Sequence, residues 1–137
     1  MRRYVFTGGA LLAAALAAPA RACPFSEAMT PLLFDALPVV APGDVAARIE
    51  VLPRDPRNPG MRARIVAILV GEYAGSNLRL EPSYLTSCDR FPQAGETGIV
   101  VGRVISSSPE ALVIDPLRAP SAVQRGEYKI EVIPTPR

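Results

Sequence analysis

The stretch VAARIEVLPRDPRNPGMRARIVAILVG, residues 45–71, holds two apolar runs split by a proline-rich break. Val45, Ala47, Ile49 and Val51 alternate with Arg48 and Glu50, the period of a strand with one face in a core. Residues 53–60 contain three prolines, an asparagine and a glycine, so the chain must turn there. A longer apolar run then starts at Met61 with Arg62 and Arg64 facing outward. Val66, Ile68 and Val70 fall on that same face, which predicts a second half that is covered on both sides or bulged. These two strands set the period for everything around them.

Downstream, Leu78 and Leu80 alternate with Arg79 and Glu81 as a third strand stopped by Pro82. Residues 97–105 read as a fourth strand and residues 111–114 as a fifth, joined by a Ser106-Ser107-Ser108-Pro109 turn. Residues 115–126 read as loop with room for one helical turn. Tyr128, Ile130 and Val132 alternate with Lys129 and Glu131 as a closing strand. Upstream, Thr30 before Pro31 fits an N-cap and first helical position, followed by Leu32, Leu33, Phe34 and Leu37. That pattern predicts one short N-terminal helix ending before Pro38. The sum is a mainly β chain: a small five- to six-stranded antiparallel barrel, closed or partly open, with a two-sheet sandwich as the alternative. The expected core is Val45, Ile49, Val51, Ile65, Leu69, Leu78, Leu80, Ile99, Val101, Leu112, Ile114 and Ile130.

The first 22 residues have the grammar of a Sec-type signal peptide. Arg2 and Arg3 supply the charged start, an apolar run follows, and Ala20-Arg21-Ala22 offers a cleavage site before Cys23. Cleavage leaves residues 23–137 as a single domain, with no further apolar segment long enough to span a membrane. The whole chain carries +2; losing Arg2, Arg3 and Arg21 leaves 12 bases against 13 acids, or −1. A near-neutral balance argues against nucleic acid as a partner. One lysine against many arginines, with abundant alanine and proline, suggests a GC-rich bacterial gene.

Histidine is absent, which removes Ser-His-Asp and Cys-His catalysis and histidine-ligated zinc. The two cysteines, Cys23 and Cys88, read as a disulfide in an oxidising compartment. Other readings of Cys23 stay open, a free thiol among them. Its new α-amino group and carbonyl could chelate a metal, or its thiol could be acylated as in bacterial lipoproteins. Against acylation, Ala20 and Arg21 stand where a lipobox places an aliphatic and a small residue. Ser106-Ser107-Ser108 reads as turn, not nucleophile. Asp89, Glu110 and Asp115 read as solvated charges. Arg62, Arg64 and Arg79 read as a cross-strand charge ladder with Glu72 and Glu81 as partners. Tyr73, Tyr84 and Phe91 flank the loops nearest the cysteines and read as a contact patch or as packing around the bridge. No cofactor fingerprint is present.

Cys88-Asp89-Arg90-Phe91, then Gly95-Glu96 and the strand Ile99-Val100-Val101-Gly102, resembles the second-cysteine segment of netrin-like modules. These include the N-terminal domain of tissue inhibitors of metalloproteinases. Gly43-Asp44-Val45 and Val70-Gly71-Glu72-Tyr73 are similar to the family's first and second strands, and the separation of Cys23 from Cys88 suits its N-terminal bridge. The resemblance spans roughly residues 44–105 plus Cys23 and implies an OB-fold barrel. It departs at Cys23-Pro24-Phe25, where the inhibitors have Cys-x-Cys, and in lacking their other disulfides. The expected function is an exported, non-catalytic binding module of the envelope with a protein partner, contacting it through Cys23, Pro24, Phe25, Tyr84, Asp89 and Phe91. The alternatives are an inhibitor whose Cys23 amine and carbonyl chelate zinc, and a lipoprotein or small envelope enzyme using Asp89 or Asp115.

Overall fold

A computed structural model describes residues 29–58, 60–122 and 124–126. The expected signal peptide, Cys23, Pro24, Phe25 and the expected strand at residues 128–132 lie outside them. Seven strands are present: β1 (Thr30–Pro31), β2 (Asp44–Val51), β3 (Met61–Val70), β4 (Asn77–Leu80), β5 (Asp89–Arg90), β6 (Thr97–Ser107) and β7 (Leu112–Pro116). Five of them close a barrel in the order β2-β3-β4-β7-β6, and β1 pairs with β5 beside it.

One seam corrects the antiparallel expectation: β4 and β7 run parallel, through Leu78↔Leu112, Arg79↔Val113 and Leu80↔Ile114. The cause is the long connection over residues 81–96. It carries the chain from β4 to the far side of β2, where β6 pairs antiparallel from Asp44↔Arg103 to Glu50↔Thr97. The β6–β7 hairpin then returns β7 to β4 in the same direction as β4.

The interior is built from Val45, Ala47, Ile49, Val51, Ala63, Leu78, Leu80, Val100, Leu112 and Ile114, all buried. A second cluster lies on the barrel's outer side, where Phe34, Val40 and Val70 pack on Ala46, Ile99 and Val101. Residues 45–47 of β2 are therefore buried on both faces. Strand β3 is bulged, the second of the two readings of its pattern. Its register against β2 skips at Val66 and again at Leu69. Each skip moves the inward parity by one, so Ala63, Ile65 and Ile68 face the barrel. Leu69, expected in the core, stands 36% exposed, and Val66 58%.

The expected helix after Thr30 is replaced by extended chain, and no helix occurs among the described residues. Leu32 is buried. Phe34 exchanges both backbone hydrogen bonds with Ile99, at 2.7 and 3.0 Å. A segment between Pro31 and Pro38 is too short to hold a helix by itself, and burying apolar side chains against β6 offers more than an isolated turn. The tail after β7 does make one tight turn. Ser121 and Gln124 bond reciprocally, Ser121 N to Gln124 Oε1 and Gln124 N to Ser121 Oγ. Among the described residues no helix is long and apolar enough to cross a membrane.

Candidate functional site

The loop of residues 81–96 carries three of the expected contact residues, Tyr84, Asp89 and Phe91; the other three lie outside the described residues. Its anchor is Asp89, whose backbone belongs to β5 and whose side chain is 1% exposed. Four donors within 3.3 Å meet the carboxylate. Arg118 gives Nε to Oδ1 at 2.6 Å and Nη2 to Oδ2 at 3.1 Å, a two-pronged contact. Thr86 gives its amide at 2.6 Å and its hydroxyl at 3.3 Å. The hydroxyl of Thr86 in turn accepts the amide of Cys88 at 3.2 Å. Arg118 also donates to the carbonyl of Tyr84, and its guanidinium carbon lies 5.8 Å from the Tyr84 ring centre. One arginine from the tail after β7 thus clamps both ends of the Tyr84-to-Asp89 turn.

The same network fastens the N-terminal segment. Thr30 donates its amide to the carbonyl of Cys88 at 2.7 Å, and Ala119 donates to the carbonyl of Pro31 at 2.8 Å. Among the described residues no cysteine is a free thiol.

The Arg118 hydrogen bonds hold the Asp89 carboxyl below its usual range, against the opposing effect of burial. Asp115 is also lowered, first by the amide of Ser83 at 2.9 Å on Oδ1. Its Oδ2 accepts Arg103 Nη2 at 3.3 Å. Asp89 and Asp115 were expected as solvated charges; each is instead engaged by an arginine, and Asp89 is buried. A general acid needs its proton near neutral pH, and both groups are held in the opposite state.

What the loop presents outward is Tyr84, 69% exposed, and Leu85, 44% exposed. Phe91 is half-buried, and Asp89 contributes no side-chain surface. Tyr73 belongs elsewhere. Its ring packs on the barrel interior and its hydroxyl donates to the carbonyl of Ser108 at 2.9 Å. The serine run splits: Ser106 and Ser107 end β6, and Ser108 closes the turn to Ala111. The arginine ladder exists with altered partners. Arg79 meets Glu81, Arg64 meets Glu50 in place of Glu72, and Arg62 lies 3.9 Å from Asp55. No cluster of three or more potential metal-ligating side chains occurs among the described residues.

Thr86 and Arg118 are the two residues that sequence reasoning passed over. Thr86-x-x-Asp89 has the spacing of a side-chain-capped turn, so that half was readable. Arg118 sits in an aperiodic tail, and nothing in its neighbours marks it. No family model matches this chain, nor does any curated protein or solved structure.

Proposed function

We propose that the mature protein is an exported binding module of the netrin-like, OB type, stapled by a disulfide between Cys23 and Cys88. The observation that carries this reading is the strand order. Counted along the chain, the barrel strands run first-second-third-fifth-fourth, with the third and fifth parallel. This order supports the OB reading, since a five-stranded Greek-key barrel of that type places its third and fifth strands side by side. The staple is supported by the absence of a free cysteine among the described residues and by Thr30 bonded to the carbonyl of Cys88. Thr30 follows Cys23 by only seven positions (30 − 23), well within reach of extended chain.

Binding rather than catalysis is supported by the state of the two candidate carboxylates. Asp89 and Asp115 are occupied by arginine and backbone donors, while Tyr84 and Leu85 stand out beside them. Aromatic and apolar side chains on a loop that is clamped from beneath suit a pre-ordered contact with a protein partner in the envelope. Residues Cys23, Pro24 and Phe25, tied to Cys88, would complete that ridge. Zinc chelation by the Cys23 amine and carbonyl is the narrower form of the same reading.

The test compares the mature protein with a form extended by one residue before Cys23, the disulfide intact in both. Envelope extract is passed over each, and binding to a zinc metalloprotease is measured in parallel. Common partners that are lost on Tyr84→Ala and Leu85→Ala support the ridge. Loss of protease binding on extension alone supports chelation. A thioether-linked lipid on Cys23, read by intact mass, would exclude the staple and make this a lipoprotein.

A further inference from the structure

The second half of β3 has an open edge. Strand β4 pairs with β3 from Met61 to Arg64, and the amide of Ile65 adds one bond to the carbonyl of Ser76 at 2.7 Å. Beyond that point, no strand among the described residues pairs with residues 66–70 on the side away from β2. Their surface is apolar as well: Val66 is 58% exposed, Leu69 36%, and Ala67 is exposed between them. By contrast, Arg48 and Glu50 of β2, Arg62 and Arg64 of the first half of β3, and Arg79 of β4 put charge on the barrel's outer side. The part of β3 without a neighbouring strand is thus the part without charge. Exposed edges are ordinarily guarded by a lysine, a proline or a bulge that turns the edge away. Here residues 65–71 hold no charge and no proline, and the two bulge residues are themselves Val66 and Leu69.

Register decides what fits this edge. An antiparallel pair centred on Ile68 sets Val66 opposite Val70 and Ala67 opposite Leu69, apolar against apolar at every position. The same register sets Arg64 of one copy toward Glu72 of the other, and like charges meet nowhere along it. Glu72 is exposed and makes no ion pair among the described residues. Arg64, 58% exposed, already meets Glu50, so this flank contributes direction more than energy. The chain's own expected strand at residues 128–132 starts too far away. Arg125 lies beside Thr97, which pairs with Glu50, whereas Val70 pairs with Ala46. That separation is about 13 Å along β2 and about 10 Å across to β3, against about 10 Å of chain between Arg125 and Tyr128.

We propose that β3 is a self-association edge: residues 66–70 of two copies pair antiparallel about a two-fold axis at Ile68, continuing the sheet from one barrel into the next. Pairing gives the open backbone groups partners and takes Val66 and Leu69 out of water. Both copies use the same edge, so assembly stops at two chains. Five residues a side (70 − 66 + 1), against about 20–30 in a standard interface, make a weak dimer with a Kd on the order of 10 μM. The edge is separate from the cysteine ridge, and its test does not depend on that reading.

Sedimentation of the intact, oxidised mature protein is followed from about 1 to about 500 μM, with amide hydrogen exchange at both ends of that range. A monomer–dimer equilibrium is expected, with exchange of the edge amides in residues 66–70 slowed about tenfold or more as the dimer forms. Val66→Lys puts a charge into the shared apolar strip and should weaken the dimer about tenfold or more. Should Val66→Lys fail to fold, Leu69→Lys tests the same edge with the same expectation. Ile105→Lys, at a similarly exposed apolar residue of β6 outside the edge, should dimerise as the parent does. A monomer throughout would overturn the proposal, as would a dimer weakened by Ile105→Lys and not by the β3 variants. Slow exchange of the edge amides in the monomer would show the edge covered within one chain and would overturn it equally.

Discussion

Asp89→Ala removes the centre of the loop clamp, and its cost can be worked from the contacts. The carboxylate accepts four hydrogen bonds, two from Arg118 and two from Thr86, with its side chain 1% exposed. Hydrogen bonds to a charged group contribute about 1.5–3 kcal/mol each when counted singly, and contacts sharing one acceptor do not add. Removing one partner of a buried pair costs about 3–5 kcal/mol, because the other charge is stranded. Arg118 is 30% exposed and can rehydrate, which moves the expectation to the lower end. We therefore expect a loss of about 3 kcal/mol, a melting temperature lower by on the order of 10 °C. Asp115→Ala is the internal control: its partner Arg103 is 73% exposed, so the loss should stay near 1 kcal/mol. Urea denaturation of the oxidised protein measures both. The pH dependence follows from the lowered carboxyl of Asp89. Its stabilisation is full above the unfolded value of about 3.9 and is lost as pH falls through the lower folded value. The parent should therefore approach the Asp89→Asn variant only below about pH 4. A loss under about 1 kcal/mol for Asp89→Ala, or a gap to Asp89→Asn that closes on going alkaline, would refute the clamp.

Three further outcomes are expected. Non-reducing peptide mapping should join Cys23 to Cys88 across a loop of 66 residues (88 − 23 + 1). Reducing it should cost about 4 kcal/mol in the chain-entropy account, and recovery of two free thiols would contradict the staple. Gly102→Ala should prevent the β6–β7 seam from closing, since a Cβ there would lie 2.3 Å from the carbonyl oxygen of Asp115. Loss of the folded far-UV signal or insolubility is the expected readout. Ile68→Ala should cost about 2 kcal/mol and Leu69→Ala less than 1 in chemical denaturation, roughly; the reverse order would contradict the double bulge.

Legibility in the sequence tracked how local the deciding physics was. The alternation of Val45, Ala47, Ile49 and Val51 decided β2 because one face of that strand is core and side chains report that directly. In β3 the conflict between Arg62 or Arg64 and the later Val66 left two readings, a half covered on both sides or a bulge, and gave no position for the bulge. Two skips fall at Val66 and Leu69, where the extra residue is pushed to solvent, so Leu69 reads as core and is not. The helix expected from Thr30 and Pro31 failed for the opposite reason. A local capping signal was present, and a non-local partner, Ile99, took the backbone groups of Phe34. At the candidate site, Cys88, Asp89 and Tyr84 were readable by type and place. The role of Asp89 was not, because it depends on Arg118, 29 residues later and in a tail without period.

The parallel seam between β4 and β7 governs how this chain can reach its fold. Strand β2 waits for β6, whose first residue comes 46 positions after the last of β2 (97 − 51), and Leu78 waits for Leu112, 34 positions on (112 − 78). Pairings of that span must meet their loop-closure entropy before they are rewarded, which places folding among the slower small domains. Until β7 arrives, β4 and β6 each present an open edge, a template for joining another chain. A fragment ending before Leu112 should therefore associate with its own kind and not fold partway. A chain of this topology depends on having its last barrel strand in hand before it begins to order.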